Sequence, residues 1–325
     1  MRAKITGTGF DVPKKVITNS DLEKMVDTSD EWITARTGIK SRYIASEGEF
    51  TSTFATRAAE KALSSAGVSA EEVDMLIVAT VTPDFPFPST ACIVQNNLKA
   101  LKATAFDISA ACTGFLYALS IADKFIRTGS IQKALIIGAE VLSRVVDWTD
   151  RNTCCLFGDG AGAVLLESSD NDCGIMSAHI HSDGSYWQLL HQPGVGNRNP
   201  ASPKVIEERL AFINMQGNEV FKLAVRGMEE AALEALSSNN LSTDDIDLFI
   251  PHQANRRIID AIGKRLGLNE AQLFVNLENY GNTSSASIPI ALDEVKRGGR
   301  IKEGDILLLD AFGAGLTWGA VLVRW

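Results

Sequence analysis

Cys112 has surroundings suited to nucleophilic chemistry. It stands between a short strand-like run, 104–108, and an apolar, helix-forming stretch that closes at Gly129. This order predicts a sulfur at or near a helix N-terminus, where free N–H groups and the helix dipole favour the thiolate. Because the thiolate is the nucleophilic form of cysteine, Cys112 is a candidate for covalent catalysis. The alternative on this stretch alone is a buried cysteine acting as a small hydrophobic side chain.

Three other features could complete a site around this thiol. His252 directly follows a strand-like run, and Asn282 lies in the polar sequence Asn-Tyr-Gly-Asn-Thr-Ser. The glycine-rich run 312–319 offers backbone N–H groups without bulky side chains, as an oxyanion site requires. A lone histidine or asparagine is more often a hydrogen-bonded core residue, so these groups form a site only if the fold brings them together.

An internal repeat in the sequence indicates how the fold brings these groups together. Residues 62–77 align without gaps on residues 235–250 at an offset of 173, and residues 133–139 resemble residues 305–311 at nearly the same offset. Such self-similarity indicates a duplicated unit.

The duplication predicts two halves, 1–172 and 173–325. Two fused halves related by pseudo-symmetry place matching strand ends face to face with a cleft between them. The region around Cys112 then corresponds to the region just after Asn282, so these two residues should lie close together. His252, at a strand end of the second half, should face the same cleft.

The elements that must position these residues have the pattern of an α/β core. The sequence predicts a buried strand over 73–80 and an apolar strand over 133–140. The segment 51–66 has a helical composition, and 157–166 is a glycine-rich turn feeding another strand. Apolar strands between helices indicate a sheet covered on both faces.

Composition narrows the class of protein. The chain has 325 residues, 45% of them hydrophobic, with a net charge of −9, which argues against nucleic acid as a partner. No signal peptide and no apolar run long enough to cross a bilayer is evident, so no membrane association is expected. The five cysteines are odd in number and lack metal-site spacing. These features predict reduced thiols and a cytoplasmic protein.

Trp32 and Arg36 are four residues apart in a helix-like stretch and therefore share one face. An aromatic plane beside a guanidinium could hold an adenine ring and a phosphate. An ordinary cation–π surface pair is an equally good interpretation of the spacing.

Together these motifs resemble the β-ketoacyl-[acyl-carrier-protein] synthase III family, thiolase-fold enzymes that start type II fatty-acid synthesis. The resemblance covers essentially the whole chain. It implies an α/β, thiolase-like fold with two pseudo-symmetric βα halves in a layered α-β-α-β-α arrangement, and a homodimer. The segments that carry it are 29–39, 110–115, 157–162, 251–256, 279–284 and 315–319.

The resemblance also implies a chemistry. Cys112 takes the acyl group from a short acyl-CoA, with acetyl-CoA expected, and the backbone N–H groups of Cys112 and Ala314 form the oxyanion hole. The family usually has glycine at the latter position, and alanine keeps the N–H donor. His252 and Asn282 bind the malonyl thioester carbonyl of malonyl-acyl-carrier protein and stabilise the enolate formed on loss of CO2. The carbanion then attacks acyl-Cys112, with no metal and no cofactor beyond the CoA thioester substrates.

Binding residues follow from the same resemblance. Trp32 and Arg151 are similar to residues that sandwich the adenine of CoA, and Thr28 to one that contacts its edge. The full set implied for CoA is Thr28, Trp32, Arg36, Arg151, Gly217, Phe221 and Asn255. Phe87 matches a position that enters the partner's acyl pocket, and its bulk indicates a short primer. The segment 184–212 is longer than is usual for the family.

A basic surface resembles the site that docks the acidic carrier protein. Arg257 and Lys264 are seven residues apart and share a helical face in an otherwise acidic chain. A solvated helix face is the alternative for each charge taken singly. The implied docking residues are Lys222, Arg257, Lys264 and Arg265.

Other functions remain open from sequence. A specialised condensing or acyl-transfer enzyme of secondary metabolism keeps the same Cys/His/Asn set, and a non-catalytic acyl-CoA or carrier-protein binding module could share the fold. A degradative thiolase is disfavoured because no cysteine follows Cys173. Elongating ketosynthases have a second histidine where this chain has Asn282.

Overall fold

The computed structural model describes residues 1–325. The strands are β1 (Arg2–Asp11), β2 (Lys15–Thr18), β3 (Ser41–Ile44), β4 (Met75–Ala79), β5 (Thr104–Ile108), β6 (Lys133–Glu140), β7 (Gly160–Ser169), β8 (Gly174–Ser182), β9 (Leu190–His191), β10 (Asn214–Met215), β11 (Leu248–Pro251), β12 (Ile306–Gly313) and β13 (Thr317–Arg324). The α-helices are α1 (Asn19–Leu22), α2 (Asp30–Thr37), α3 (Thr51–Ala66), α4 (Thr90–Leu98), α5 (Gly114–Arg127), α6 (Arg151–Cys154), α7 (Pro203–Glu207), α8 (Gly217–Ser237), α9 (Arg256–Arg265), α10 (Leu277–Tyr280) and α11 (Ser287–Arg297).

Two sheets repeat one topology. The first has the order β1-β7-β6-β4-β5 and the second the order β8-β13-β12-β11. In the first sheet, β4 pairs in parallel with both β6 and β5, and the β1–β7 and β7–β6 pairings are antiparallel. In the second sheet, β11 pairs in parallel with β12, and the β12–β13 and β13–β8 pairings are antiparallel. The second sheet has no strand matching β5, and a single parallel bridge joins Phe249 to Leu273 there. The boundary predicted near residue 173 lies between β7 and β8, and the division into two halves stays a prediction.

The sheets and helices form five layers. Helices α5 and α11 lie between the two sheets, where Phe115, Leu119 and Leu292 pack with Ile136 and Leu309 in one buried cluster. Helices α3 and α4 cover the outer face of the first sheet, and α8 and α9 cover that of the second. The predicted α-β-α-β-α layering is confirmed.

Burial explains why the central strands are apolar throughout. Every residue of β4 and β12 is buried, because each strand has helices on both faces. Strand β1 and helix α3 pack closely at Gly9. A Cβ at this position would lie 2.5 Å from the backbone nitrogen of Ala62 on α3, so the contact requires glycine. None of the helices combines the length and the hydropathy required to cross a bilayer.

Candidate active site

Cys112 lies where the sequence predicts, in a short turn between a strand and a helix. A 3₁₀ turn, Ala111–Thr113, links β5 to the start of α5, and Ala111 adopts a left-handed backbone with φ of 47°. Cys112 is 9% exposed. Gly313 packs directly against this turn, since a Cβ there would lie 2.8 Å from the backbone nitrogen of Cys112. The nucleophile turn is therefore held in place by the glycine-rich run.

The thiol is protonated at neutral pH, which corrects the expectation drawn from the helix position. Burial raises the pKa of Cys112 to about 12, and the nearby carboxylate of Glu140 adds to the rise. The neighbouring Ser284 acts in the opposite direction but is outweighed. The loss of hydration destabilises the thiolate by more than the helix N-terminus stabilises it. Cys112 must therefore lose its proton as it reacts.

His252 is a buried, neutral imidazole. It follows the last residue of β11, and its backbone N–H donates to the carbonyl of Asp310 at 2.7 Å. The side chain is 5% exposed, and burial lowers its pKa to about 3. Its Nδ1 lies 2.7 Å from the hydroxyl of Ser287, the first residue of α11. The other ring nitrogen, Nε2, makes no hydrogen bond within the protein and is free for a ligand.

Asn282 is held so that its side-chain NH2 group makes no hydrogen bond within the protein. Its backbone N–H donates to the carbonyl of Leu156 at 2.8 Å, and its carbonyl accepts from the N–H of Gly158 at 3.0 Å. The side-chain oxygen Oδ1 accepts a hydrogen bond from the N–H of Ser284 at 2.8 Å. Because the oxygen is used inside the protein, the NH2 group is left as a donor for a ligand.

The two backbone donors expected for an oxyanion site are also free. Neither the N–H of Cys112 nor that of Ala314 donates to another group of the protein backbone. Ala314 has an ordinary backbone φ, so an alanine is accommodated here without strain. Its carbonyl accepts a hydrogen bond from the hydroxyl of Thr317 at 3.1 Å. The substitution of glycine by alanine therefore leaves the donor available.

One cavity brings the predicted groups together. It has a volume of about 650 Å³, and its walls include Cys112, His252 and Asn282. These side chains come from both halves of the chain, as the internal repeat predicts. The same cavity is lined by five of the residues predicted to bind CoA: Trp32, Arg36, Gly217, Phe221 and Asn255.

The remaining two CoA candidates lie beside this cavity and do not line it. Arg151 sits over the indole of Trp32 at 5.0 Å and donates to the carbonyl of Asp27 at 3.0 Å. Arg36 also lies over that indole, at 4.4 Å. A ring stacked between Trp32 and Arg151 needs a gap of about 7 Å, two van der Waals separations, so Arg151 must move outward to admit an adenine. Thr28 has a buried hydroxyl oxygen without a partner.

A second cavity also reaches the nucleophile. Its volume is about 420 Å³, and Cys112, Ala314, Leu142, Trp187 and Leu190 are among its mostly apolar lining residues. The long segment 184–212 thus contributes directly to the site. Trp187 was not singled out from sequence, because a tryptophan in a loop carries no signal of what it faces.

Phe87 belongs to neither cavity of its own chain. Its side chain is 85% exposed on the loop before α4. The predicted contact with an acyl pocket can be made only in a second copy of the protein.

Glu140 is a site residue that sequence reasoning missed. This fully buried carboxylate accepts hydrogen bonds from Thr80 (3.1 Å), from the N–H of Val81 (3.1 Å) and from both donors of Thr82. The hydroxyl of Ser285, which donates to the carbonyl of Ala79 at 2.7 Å, lies 3.2 Å from it. Glu140 fixes Val81 and Thr82, which line the second cavity. An acidic residue ending an otherwise apolar strand was the available signal.

The basic residues on α8 and α9 are not equivalent. Lys222 is paired with Glu219 at 2.8 Å, and Arg265 is paired with Glu229. Lys264 forms no ion pair. All three of these basic side chains are exposed.

Arg257 is the basic residue nearest the site. Its guanidinium lies 5.5 Å from the centre of the Phe221 ring, and it lines the first cavity. The exposed positive charge without a carboxylate partner is therefore concentrated at Arg257 and Lys264.

Comparison with known proteins agrees with this geometry. Residues 106–184 match the family described as 3-oxoacyl-[acyl-carrier-protein (ACP)] synthase III, and residues 236–325 match its C-terminal part. The β-ketoacyl-[acyl-carrier-protein] synthase III of Caldanaerobacter subterraneus subsp. tengcongensis is 54% identical over 323 residues, which cover 99% of this chain and 98% of the relative.

Solved structures give the same result. The 3-oxoacyl-[acyl-carrier-protein] synthase III of Aquifex aeolicus VF5 is similar with a TM-score of 0.93 and 52% identity, covering 99% of this chain and all of that chain. The priming β-ketosynthase of the R1128 polyketide pathway is similar with a TM-score of 0.91 and 36% identity, covering 99% and 96%. The predicted thiolase-like fold is confirmed.

Proposed function

This chain belongs to the 3-oxoacyl-[acyl-carrier-protein] synthase III family, and from that premise we propose how its residues catalyse acyl transfer and condensation. The chain is a condensing enzyme of fatty-acid synthesis. The observation that carries the residue assignment is the convergence of Cys112, His252 and Asn282 on one cavity. Its walls also carry the aromatic and basic groups suited to a CoA thioester.

The first half-reaction loads the enzyme. The Cys112 sulfur attacks the thioester carbonyl of an acyl-CoA, and its proton leaves with the CoA thiol. The acyl group then forms a thioester with Cys112. The oxyanion that develops accepts hydrogen bonds from the free N–H groups of Cys112 and Ala314, which need no reorganisation.

The second half-reaction forms the carbon–carbon bond. Malonyl-acyl-carrier protein places its thioester carbonyl between the His252 Nε2 and the Asn282 amide. Loss of CO2 leaves an enolate, whose negative oxygen these two donors stabilise. The enolate carbon attacks the acyl-Cys112 carbonyl, the Cys112 sulfur leaves as a thiolate and takes up a proton from solvent, and 3-oxoacyl-acyl-carrier protein is released. A neutral histidine suits this role because it must donate a hydrogen bond without giving up its proton.

The second cavity is the proposed acyl pocket. Its apolar walls suit a hydrocarbon chain, and it opens directly at Cys112. We assign the primer as a short acyl-CoA, acetyl or small branched, because Phe87 of a second copy would fill part of this space.

A homodimer is part of the proposal. Strand β5 is the edge of the first sheet and has a free backbone edge. The nearby loop exposes Phe85 at 56% and Phe87 at 85%. Pairing of two β5 edges would cover these rings and join the sheets of two copies.

A specialised priming role in secondary metabolism is the second candidate. The similarity to the R1128 priming β-ketosynthase supports it. An acyl-side cavity of about 420 Å³, larger than an acetyl group requires, also supports it. The two candidates share the half-reactions above and differ in the primer that loads.

Intact-protein mass spectrometry with a panel of acyl-CoAs tests the proposal. We expect one acyl group on the wild type, none on Cys112→Ala, and discharge as a 3-oxoacyl product on addition of malonyl-acyl-carrier protein. Loading of acetyl or small branched groups supports the initiating role. Loading restricted to longer or unusual groups supports the specialised role. Binding of CoA without any loading would contradict the catalytic assignment.

A further inference from the structure

We propose that Ser287 is a positioning residue that fixes the tautomer of His252. The inference rests on the proposed function, in which His252 donates a hydrogen bond from Nε2. Only one neutral tautomer can do so, the one that carries its proton on Nε2. The bond that Nδ1 makes decides which tautomer is present. In this protein, Nδ1 is 2.7 Å from the Ser287 oxygen.

The direction of that bond follows from where the serine hydroxyl hydrogen can go. The Ser287 oxygen already accepts a hydrogen bond from the backbone N–H of Gln253 at 3.3 Å. Ser287 is 2% exposed, so water does not supply an acceptor for its hydrogen. The only other contact of the hydroxyl is His252 Nδ1. If Nδ1 carried the proton, the serine oxygen would accept twice and its own hydrogen would be buried without a partner.

The usual acceptor for a serine at this helical position is not used. A serine in a helix often donates to the carbonyl four residues earlier, which here is that of Thr283. That carbonyl instead accepts from the N–H of Ala286 at 3.0 Å, and no bond joins it to the Ser287 hydroxyl. The hydroxyl therefore donates to Nδ1, and the proton of the neutral imidazole is on Nε2.

The position of Ser287 makes this arrangement rigid. It is the first residue of α11, a helix buried between the two sheets. The same segment carries Asn282 and its partner Ser284. One turn thus orients both hydrogen-bond donors: the N–H of Ser284 turns the Asn282 amide, and the hydroxyl of Ser287 turns the imidazole. Both then present N–H groups to the same carbonyl oxygen.

Nitrogen-15 NMR of the histidine rings tests the inference on the wild type itself. The chain has only four histidines, so His252 can be assigned by its absence from His252→Gln. We expect a non-protonated, acceptor-type signal for Nδ1 and a protonated signal for Nε2 at pH 7. A protonated Nδ1 overturns the inference, whether or not any variant folds.

Half-reaction kinetics supply the second readout. In Ser287→Ala, we expect condensation with malonyl-acyl-carrier protein to fall by about tenfold, the size of one net hydrogen bond, while acylation of Cys112 by acetyl-CoA stays within about twofold. Ser287→Thr keeps the hydroxyl and should restore most of the rate. Ser285→Ala is the matched control for the NMR signal, because its hydroxyl bonds to Ala79 and Glu140 and not to His252.

The outcomes separate this inference from the proposed function. A wild type that fails to acylate or to condense contradicts the proposed function, and the NMR signal still tests the hydrogen bond. An active wild type with equal loss of both half-reactions in Ser287→Ala means a structural role only and overturns the inference. Unchanged condensation in that variant overturns it as well.

Discussion

Ala111 and Ser284 lie 173 residues apart and adopt the same left-handed backbone conformation, with φ of 47° and 50°. Each begins a 3₁₀ turn that leads directly into a helix of the middle layer, α5 for Ala111 and α11 for Ser284. Their separation equals the offset of the sequence repeat. The turn that carries the nucleophile and the turn that orients Asn282 are therefore two copies of one structure.

A valine at position 111 should destabilise the protein much more than a glycine there. A β-branched residue is strained at positive φ and overfills a packed turn, so we expect Ala111→Val to lower the free energy of unfolding by about 2 kcal/mol. Ala111→Gly relieves the strain but adds unfolded-state entropy, and it should stay within about 1 kcal/mol of the wild type. Urea denaturation measures both. Equal losses in the two variants would show that the alanine methyl matters and the backbone conformation does not.

Much of the fold could be predicted from the sequence, because its strands are buried on both faces and therefore read as uninterrupted apolar runs. The run 133–140 coincides with β6, and 51–66 coincides with α3. The repeat supplied the long-range information that periodicity lacks, since it predicted that Asn282 would meet Cys112. The missing counterpart of β5 could not be foreseen, because its place is taken by a bridge at Leu273.

The reactive residues of the site could be predicted from their residue types. The properties that depend on burial, such as the protonation state of Cys112, could not. Few residue types can act as a nucleophile or as a hydrogen-bond donor to an enolate, so the cysteine, histidine and asparagine could be selected from the sequence. The sequence shows the helix N-terminus, which favours the Cys112 thiolate, but not the loss of solvent around the sulfur, which raises the pKa of the thiol. Ser287 and Glu140 were missed because a serine or a glutamate is usually a surface residue, and only the packed structure reveals their partners.

Alkylation of Cys112 should depend steeply on pH. Burial raises the pKa of the thiol to about 12, so the reactive thiolate is scarce at neutral pH and grows as protons are removed. We expect the rate of labelling by iodoacetamide to rise about tenfold per pH unit from 7 to 10, whereas an ordinary thiol levels off near pH 9. Peptide mass spectrometry resolves Cys112 from the other cysteines. A plateau below pH 8 would contradict the raised pKa.

Stability should fall in mild acid because of His252. Its folded-state pKa is about 3, far below the unfolded value of about 6.5. The unfolded chain therefore binds a proton that the folded protein cannot. The contribution of neutral His252 to the free energy of unfolding is complete well above pH 6.5 and is lost as the pH falls below that value. Between pH 7 and 5 the free energy of unfolding should drop by about 2 kcal/mol more for the wild type than for His252→Gln. Parallel curves from urea denaturation would contradict the buried neutral state.

Lys264 should contribute more to carrier-protein binding than Lys222 and Arg265, its ion-paired neighbours on the same surface. It is exposed on α9 and has no carboxylate partner, whereas Arg265 is paired with Glu229 and Lys222 with Glu219. An unpaired charge is the one available to attract an acidic partner. We expect Lys264→Glu to raise the KM for malonyl-acyl-carrier protein by about five- to tenfold at low salt, with the difference shrinking as salt screens the charge.

Lys302→Glu is the matched control for that change. Lys302 is also exposed and forms no ion pair, but it lies in the loop before β12, outside the surface formed by α8 and α9. The two variants carry the same net charge, so a general effect of charge on the encounter would appear in both. Acylation of Cys112 by acetyl-CoA should be unchanged in each, because it does not involve the carrier protein. Equal increases in KM for the two variants, or an increase in Lys264→Glu that does not respond to salt, would rule out docking at α9.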